Sequence, residues 1–242
     1  VRAARLALSE LDQAEVDLAE LSGRDVGRVV LGALPLARSG LLPMALTGFR
    51  AERPETPVTV LDGRYDLQIS RLIQGDLDFM VGALRDPGPA DSLVQEPLFD
   101  DHLCLVARAG HPLASGPGLT PELLARQSWV VPPEGSPSRG QFEAYFRENG
   151  LAAPRGVVES SSILLQREML LQSDMLGCIS GGQAASEVRH GLLVTLPLPV
   201  AWPGRRIGLT TRRDWVPTRA QRCLLTHLRD AAKQMRPVGD RM

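Results

Sequence analysis

The sequence predicts an α/β chain made of two similar βα halves, joined by connecting segments near residues 100–108 and 203–212. Three observations carry this. Strand-like runs alternate with helix-like runs, which argues for sheets with helices packed on them. The grammar of residues 27–83 recurs between 129 and 189. Strand ends also pass directly into helix starts, the arrangement from which α/β folds build ligand crevices. Two halves with two crossings describe a bilobal clamshell, a shape that binds small molecules in the cleft between lobes.

The elements follow in order. Residues 2 to 22 read as a helix outside either half. Val1, Ala4, Leu8, Leu11 and Leu18 fall at three- and four-residue spacings, Glu15 interrupts the stripe, and Glu10, Asp12, Asp17 and Glu20 cover the rest. A helix this polar needs a partner helix, so 1–23 is assigned as a linker and dimerisation helix ended by Ser22-Gly23. Gly27 to Leu34 is β-rich, and Pro35 argues against a regular element over Leu34–Ser39. Ser39 is then expected to cap a helix over 40–52 with Pro43 in its first turn. A strand at 57–62, a helix at 65–74 stopped by Gly75, and a strand at 78–83 complete this half as a parallel sheet. Leu98–Arg108 holds two more apolar runs, and Ser115–Gly118 is a loop.

The second half predicts a strand at 129–131, a helix over 137–149 ended by Gly150, and a strand near 156–158. A helix from Ser160-Ser-Ser162 to Gln172, a strand over 174–179 and a short helix at 183–189 follow. A strand at 207–213 and a long amphipathic helix over 217–235 return to the first half, with Leu224, Leu225 and Leu228 facing inward. Residues 237–242 read as a disordered tail.

Composition narrows the function classes. With 27 basic and 28 acidic residues, net charge points to neither nucleic acid nor a membrane as a direct partner. Three cysteines, Cys104, Cys178 and Cys223, lie far apart without a CxxC pair and read as reduced thiols of a cytoplasmic protein. No apolar run approaches the ~20 residues of a membrane span. There is no signal-peptide pattern, and a chain starting at Val1 reads as a fragment of a longer protein.

An ordered set of short pieces resembles a known family. They are Gly27-Arg-Val-Val-Leu-Gly32, Leu41-Leu-Pro43, Phe49, Pro54 through Val60, Leu72-Ile-Gln-Gly-Asp-Leu-Asp78, Glu96-Pro-Leu98, His111-Pro-Leu113 and Trp129. No single piece is specific, but the set resembles the effector-binding domain of LysR-type transcriptional regulators, over roughly residues 24 to 236. The resemblance implies two Rossmann-like subdomains with a cleft between them, a type 2 periplasmic-binding-protein-like fold. Subdomain I would be 24–103 plus 209–242, and subdomain II 104–208. It further implies a cytoplasmic homodimer or homotetramer, packed through helix 40–52 against helix 218–235 of a neighbour. DNA would be bound only through a winged helix-turn-helix upstream of Val1. A transporter's solute-binding protein shares the fold and is the alternative.

By the same resemblance, effector contacts fall on Leu34, Leu36 and Ala37 after the first strand, on Ala83 at the end of the third, and on Ser136. Leucines stand where this family often has Thr or Ser, which favours an organic effector with a hydrophobic body over an inorganic anion. The alternative is that Leu34 and Leu36 simply pack beneath the loop. Read from the residues themselves, helix starts after Ser39, Ser136 and Ser162 present unpaired N–H groups, so Ser39, Ser136 and Ser161 join the candidates. Arg139, one turn into its helix, is placed either to grip a ligand carboxylate near Ser136 or to face solvent. Arg38 and Arg85 are read as surface residues.

Catalysis is not expected, and neither is a cofactor or metal. Asp76 and Asp78 suggest turn chemistry and a cap more than an acid/base couple. Ser180 lacks the preceding glycine of a nucleophile elbow. His111 reads as a turn residue, and His102, His190 and His227 show no ligand spacing.

Overall fold

A computed structural model describes Leu11 and residues 27–116, 118–198, 202 and 204–235. The expected linker helix lies outside these residues except for Leu11, which is helical, as does the tail beyond 235. In chain order the elements are β1 (Val29–Ala33), α1 (Leu41–Glu52), β2 (Val58–Leu61), α2 (Tyr65–Gln74), β3 (Phe79–Ala83), β4 (Leu93–Asp101) and β5 (Leu103–Arg108). Then come α3 (Pro121–Ala125), β6 (Trp129–Val131), α4 (Pro137–Glu148), β7 (Val157–Glu159) and α5 (Ile163–Gln172). The chain ends with β8 (Leu176–Ser180), α6 (Gly181–Arg189), β9 (Leu193–Leu196), β10 (Arg205–Arg212) and α7 (Arg219–Ala232). It divides into two compact units, with crossings at Asp100/Asp101 and Gly204/Arg205.

The first unit holds a five-stranded sheet in the order β2-β1-β3-β10-β4. β1 pairs in parallel with β2 and β3, while β10 runs antiparallel to β3, Leu209 opposite Val81. The parallel pairing expected of these three strands is present, and β10, returning from the second unit, adds an antiparallel neighbour that makes the sheet mixed. Strand periodicity sorts the core. Val29, Leu31, Ala33, Phe79 and Val81 face a layer containing α1 and α7, while Val30 and Met80 face the layer under α2. On α7, Ala220, Leu224, Leu228 and Ala231 are buried at helical spacing. Each leucine there removes apolar surface worth about 1.5–3 kcal/mol. Gly75 ends α2 at φ 83°, a backbone conformation that glycine adopts without a Cβ penalty. Gly208 answers a different need, because a Cβ there would lie 2.0 Å from the Glu96 carbonyl oxygen on β4.

A half-buried carboxylate ties these layers together. Asp78 Oδ2 accepts from Val30 N–H at 2.7 Å, while the Asp78 amide donates to the Val30 carbonyl at 2.8 Å. The Gln221 side chain bonds the same carboxylate. Gln221 also accepts from the Thr218 amide at 2.8 Å and so caps α7. Arg212 Nη1 donates to the carbonyls of Leu72 and Leu77 at 3.1 and 2.7 Å. The turn role read for Asp78 thus extends to cross-linking β1 and α7.

The second unit repeats the plan with a sheet in the order β7-β6-β8-β5-β9. β6 pairs in parallel with β7 and β8, and β5 is antiparallel to both β8 and β9. Trp129, Phe142 and Phe146 meet edge-to-face, with Trp129 and Phe142 centroids 4.9 Å apart, on the face covered by α4. Val106, Val130, Leu170 and Ile179 fill the other face. β9 and the five-residue α3 were not anticipated, being too short for a periodic signal.

Burial raises the Asp78 pKa, against the bonds that favour its charged form. A raised carboxyl pKa means that the contribution of this group to stability is greatest below its unfolded value of about 3.9 and declines as pH rises through the folded value. Asp78→Ala should cost about 1–3 kcal/mol by leaving the half-buried Val30 N–H without its partner. Asp78→Asn keeps that acceptor and should cost less. The stability difference between wild type and Asp78→Asn should move against wild type between about pH 4 and about pH 7. Denaturant midpoints at the two pH values check both statements.

Candidate functional site

The candidate residues of the first unit lie on the loop after β1 and at the end of β3. Pro35–Arg38 is a 3-10 turn, which corrects the expectation of an irregular loop. Proline sits at its first position, where no amide is required. Leu34 N–H donates to Val81 O at 2.9 Å, anchoring the loop on β3. The Leu34 side chain lies over Gly82, where a Cβ would stand 2.5 Å from Leu34 Cδ1. Leu36 and Ala83 pack into one small cluster with Ile207 and Phe99. The structure therefore brings these two candidates together, both buried to below a tenth exposure. Ala37 belongs to the main core beneath them.

Ser39 does not cap α1, and that expectation is corrected. The cap position is Gly40 at φ 83°, which shifts the helix start one residue on, and Leu41 N–H donates to the Ser39 carbonyl at 3.2 Å. Pro43 contributes no amide to this first turn. Arg38 pairs with Asp62 at 3.1 Å, and Arg85 lies over the Tyr65 ring at 4.5 Å. Burial raises the Tyr65 pKa in spite of that cation.

The second unit carries the remaining candidates. Ser136 caps α4 as expected, its Oγ accepting from Arg139 N–H at 3.3 Å and donating to Pro133 O at 2.8 Å. With its hydrogen committed to Pro133, this hydroxyl has a lone pair to offer a ligand more readily than a proton. Ser162 caps α5 by accepting from Leu165 N–H at 3.3 Å, and Ser161 beside it is exposed. Leu164 and Leu165 in the same turn are also exposed.

Arg139 is not solvent-facing, which corrects that alternative. Its side chain is 10% exposed, with Nε donating to Glu143 at 2.6 Å and Nη1 to Glu159 at 3.2 Å. Nη1 also reaches Pro132 O at 3.4 Å. The guanidinium thus ties α4 to the ends of β6 and β7, already matched by two carboxylates. Nothing in the residue's sequence neighbourhood reveals Glu159, twenty positions away.

His111 holds its turn, Nδ1 accepting from Leu113 N–H at 3.1 Å. Ser180 Oγ donates to Asp101 Oδ1 at 2.5 Å in a buried pair. Burial drives the Cys104 thiol up to about 11, so it is a poor nucleophile. One grouping was missed from sequence: Glu52, Cys223 and His227 converge where α1 meets α7. The four-residue spacing of Cys223 and His227 on one helix was its only linear signal. No helix among the described residues is long and apolar enough to cross a membrane.

Residues 22–233 match the LysR substrate binding domain family. The chain belongs to this family. It is 39% identical over 93% of its length to the HTH-type transcriptional regulator GalR of Pseudomonas putida, of which it spans 56%. It is 31% identical over 97% of its length to the regulator PcaQ of Agrobacterium fabrum, spanning 76% of that protein. The regulatory domain of CcmR from Synechocystis PCC6803, solved in complex with 2-PG, superposes with a TM-score of 0.73 at 20% identity, over 88% of this chain and 100% of that one. The cofactor-binding domain of the Cbl transcriptional regulator gives 0.72 at 19% identity, over 86% and 92%. These likenesses establish the type 2 periplasmic-binding-protein-like fold. The relatives are transcriptional regulators, not transporter components.

Arg139→Ala should destabilise the domain by about 1–3 kcal/mol. The cost stays moderate because Glu143 and Glu159, both 42% exposed, can be rehydrated. Arg139→Lys should recover only part of it, because one ammonium cannot span the fork. Urea denaturation of the three proteins measures this.

Proposed function

We propose that this domain senses a small organic metabolite for a LysR-type transcriptional regulator and performs no chemistry on it. The observation that carries the reading is the family match over residues 22–233, together with relatives named as transcriptional regulators. Subdomain I (24–103 plus 209–242) and subdomain II (104–208) each contribute residues to the proposed effector contacts. In subdomain I the contacts are an apolar wall of Leu34, Leu36, Ala37 and Ala83 with Ser39 beside it. In subdomain II they are Ser161 and Ser136, and Ser136 must turn its hydroxyl hydrogen away from Pro133 to donate to an anionic end. The pairing of Leu36 with Ala83 supports an apolar wall. Because Arg139 is already neutralised by two glutamates, the polar end is held by amides and hydroxyls more than by that charge. Binding then changes the geometry of a homodimer or homotetramer, and DNA-binding domains elsewhere in the regulator read the change at an operator.

A thermal-shift screen of aromatic acids, sugar acids and sugars tests the reading, because a ligand of the native state raises its melting temperature by mass action. Ser39 is half-buried and Ser161 exposed, so alanine at either should leave the fold intact. Each such variant should weaken a true effector by about 1–3 kcal/mol. A ligand held with parental affinity by both removes those serines from the site, and conversion of any bound compound defeats the sensing proposal.

Subunit packing is assigned to α1 and α7. Met44 is 39% exposed on α1 and borders a shallow groove shared with α7, lined also by Thr47, His227 and Gln234. Met44→Glu should convert the oligomer to monomer in sedimentation velocity, and an unchanged species would place the interface elsewhere.

A further inference from the structure

We propose that Glu52, Cys223 and His227 form a transition-metal site, of the kind zinc occupies, where α1 meets α7. One thiol, one imidazole and one carboxylate offer ligand atoms that all lie within 4.8 Å of one another. Cys223 and His227, four residues apart, share a face of α7, and Glu52, the last residue of α1, reaches them from the neighbouring helix. Glu52 Oε2 and His227 Nε2 are already 3.1 Å apart. Zinc bond lengths of about 2.0–2.3 Å place neighbouring ligand atoms of a tetrahedron roughly 3.3–3.8 Å from each other. The set therefore closes on an ion with about 1 Å of side-chain adjustment. Glu52, with 62% of its side chain exposed, has the freedom to make it.

The opposite side of the imidazole fits against a glycine. A Cβ at position 48 would lie 2.7 Å from His227 Nδ1, so glycine on α1 makes room for the ring. The donor set selects the ion: sulfur and nitrogen beside one oxygen suit a borderline-soft cation, whereas magnesium and calcium favour oxygen alone. The charges also balance. On binding, the Cys223 thiol releases its proton to solvent and a sulfur–metal bond forms, so thiolate and carboxylate together neutralise a dication. Three protein ligands leave a fourth position for water. The site is independent of the effector contacts, since all three residues belong to the first unit and none is an effector candidate, while His227 also lines the groove assigned to subunit packing.

The test uses the untagged chain, stripped with chelator and titrated with cobalt(II) alone as the spectroscopic probe. Saturation at one equivalent is expected, with thiolate-to-cobalt charge-transfer absorption that zinc abolishes by displacement. Cys223→Ser should remove the band, and the Cys104→Ser/Cys178→Ser double variant should keep it. His227→Gln and Glu52→Gln should each weaken binding at least about tenfold, no less than the loss of an outer-shell partner costs. His227 is 26% exposed, so its variant gives an independent reading if Cys223→Ser folds poorly. No band at stoichiometric cobalt, a band that survives Cys223→Ser, or unchanged affinity in both His227→Gln and Glu52→Gln would overturn the site and leave a hydrogen-bonded cluster only.

Discussion

The first unit depends on one half-buried carboxylate. Asp78 receives the Val30 amide, returns its own amide to the Val30 carbonyl, and holds the Gln221 side chain that caps α7. A strand, the start of its neighbour and a helix from the far end of the sequence are thereby fixed by a single group. Burial opposes its ionisation, so the arrangement is sustained by satisfied donors and not by charge as such. Arg212 works beside it on the carbonyls of Leu72 and Leu77, where α2 ends and the chain turns towards β3. The Leu34–Ala37 turn inherits its position from this frame, since Leu34 is anchored on Val81 of β3.

That frame makes the candidate wall a rigid one. Leu36 and Ala83 pack in one cluster with Ile207, so the candidate wall is part of a packed core. The second unit treats its polar groups likewise. Ser136 is occupied by the α4 cap and Arg139 by two glutamates, which leaves the exposed Ser161 as the less committed hydroxyl. Preorganised groups of this sort lose little entropy on binding, and they discriminate by shape and by the placing of a few donors.

Much of this was legible in the sequence because it is local. Gly75 as a helix stop, Ser136 as a cap, and the strands at Phe79 and Trp129 follow from propensity, capping and periodicity within a few residues. What escaped was long-range. The partnership of Arg139 with Glu159, of Asp78 with Gln221, and of Glu52 with Cys223 and His227 each joins segments that only the tertiary fold brings together. Ser39 misled for a different reason. It has the right chemistry for a cap, but the adjacent Gly40 takes the positive φ that begins α1. The antiparallel entry of β10 was equally invisible, because Ile207–Thr210 is buried without alternation and so lacks the pattern usual for an antiparallel strand.

The place of β10 bears on the order in which the molecule is made. It lies between β3 and β4, so the first sheet has a gap in its interior until residues 205–212 arrive. Residues 101–204 form a continuous stretch that encodes the whole second sheet. On the ribosome, the later-encoded unit can therefore complete its hydrogen-bonded ladder while the earlier one still waits, with β3 and β4 presenting open edges. Of these two units, the one encoded first is the last to close.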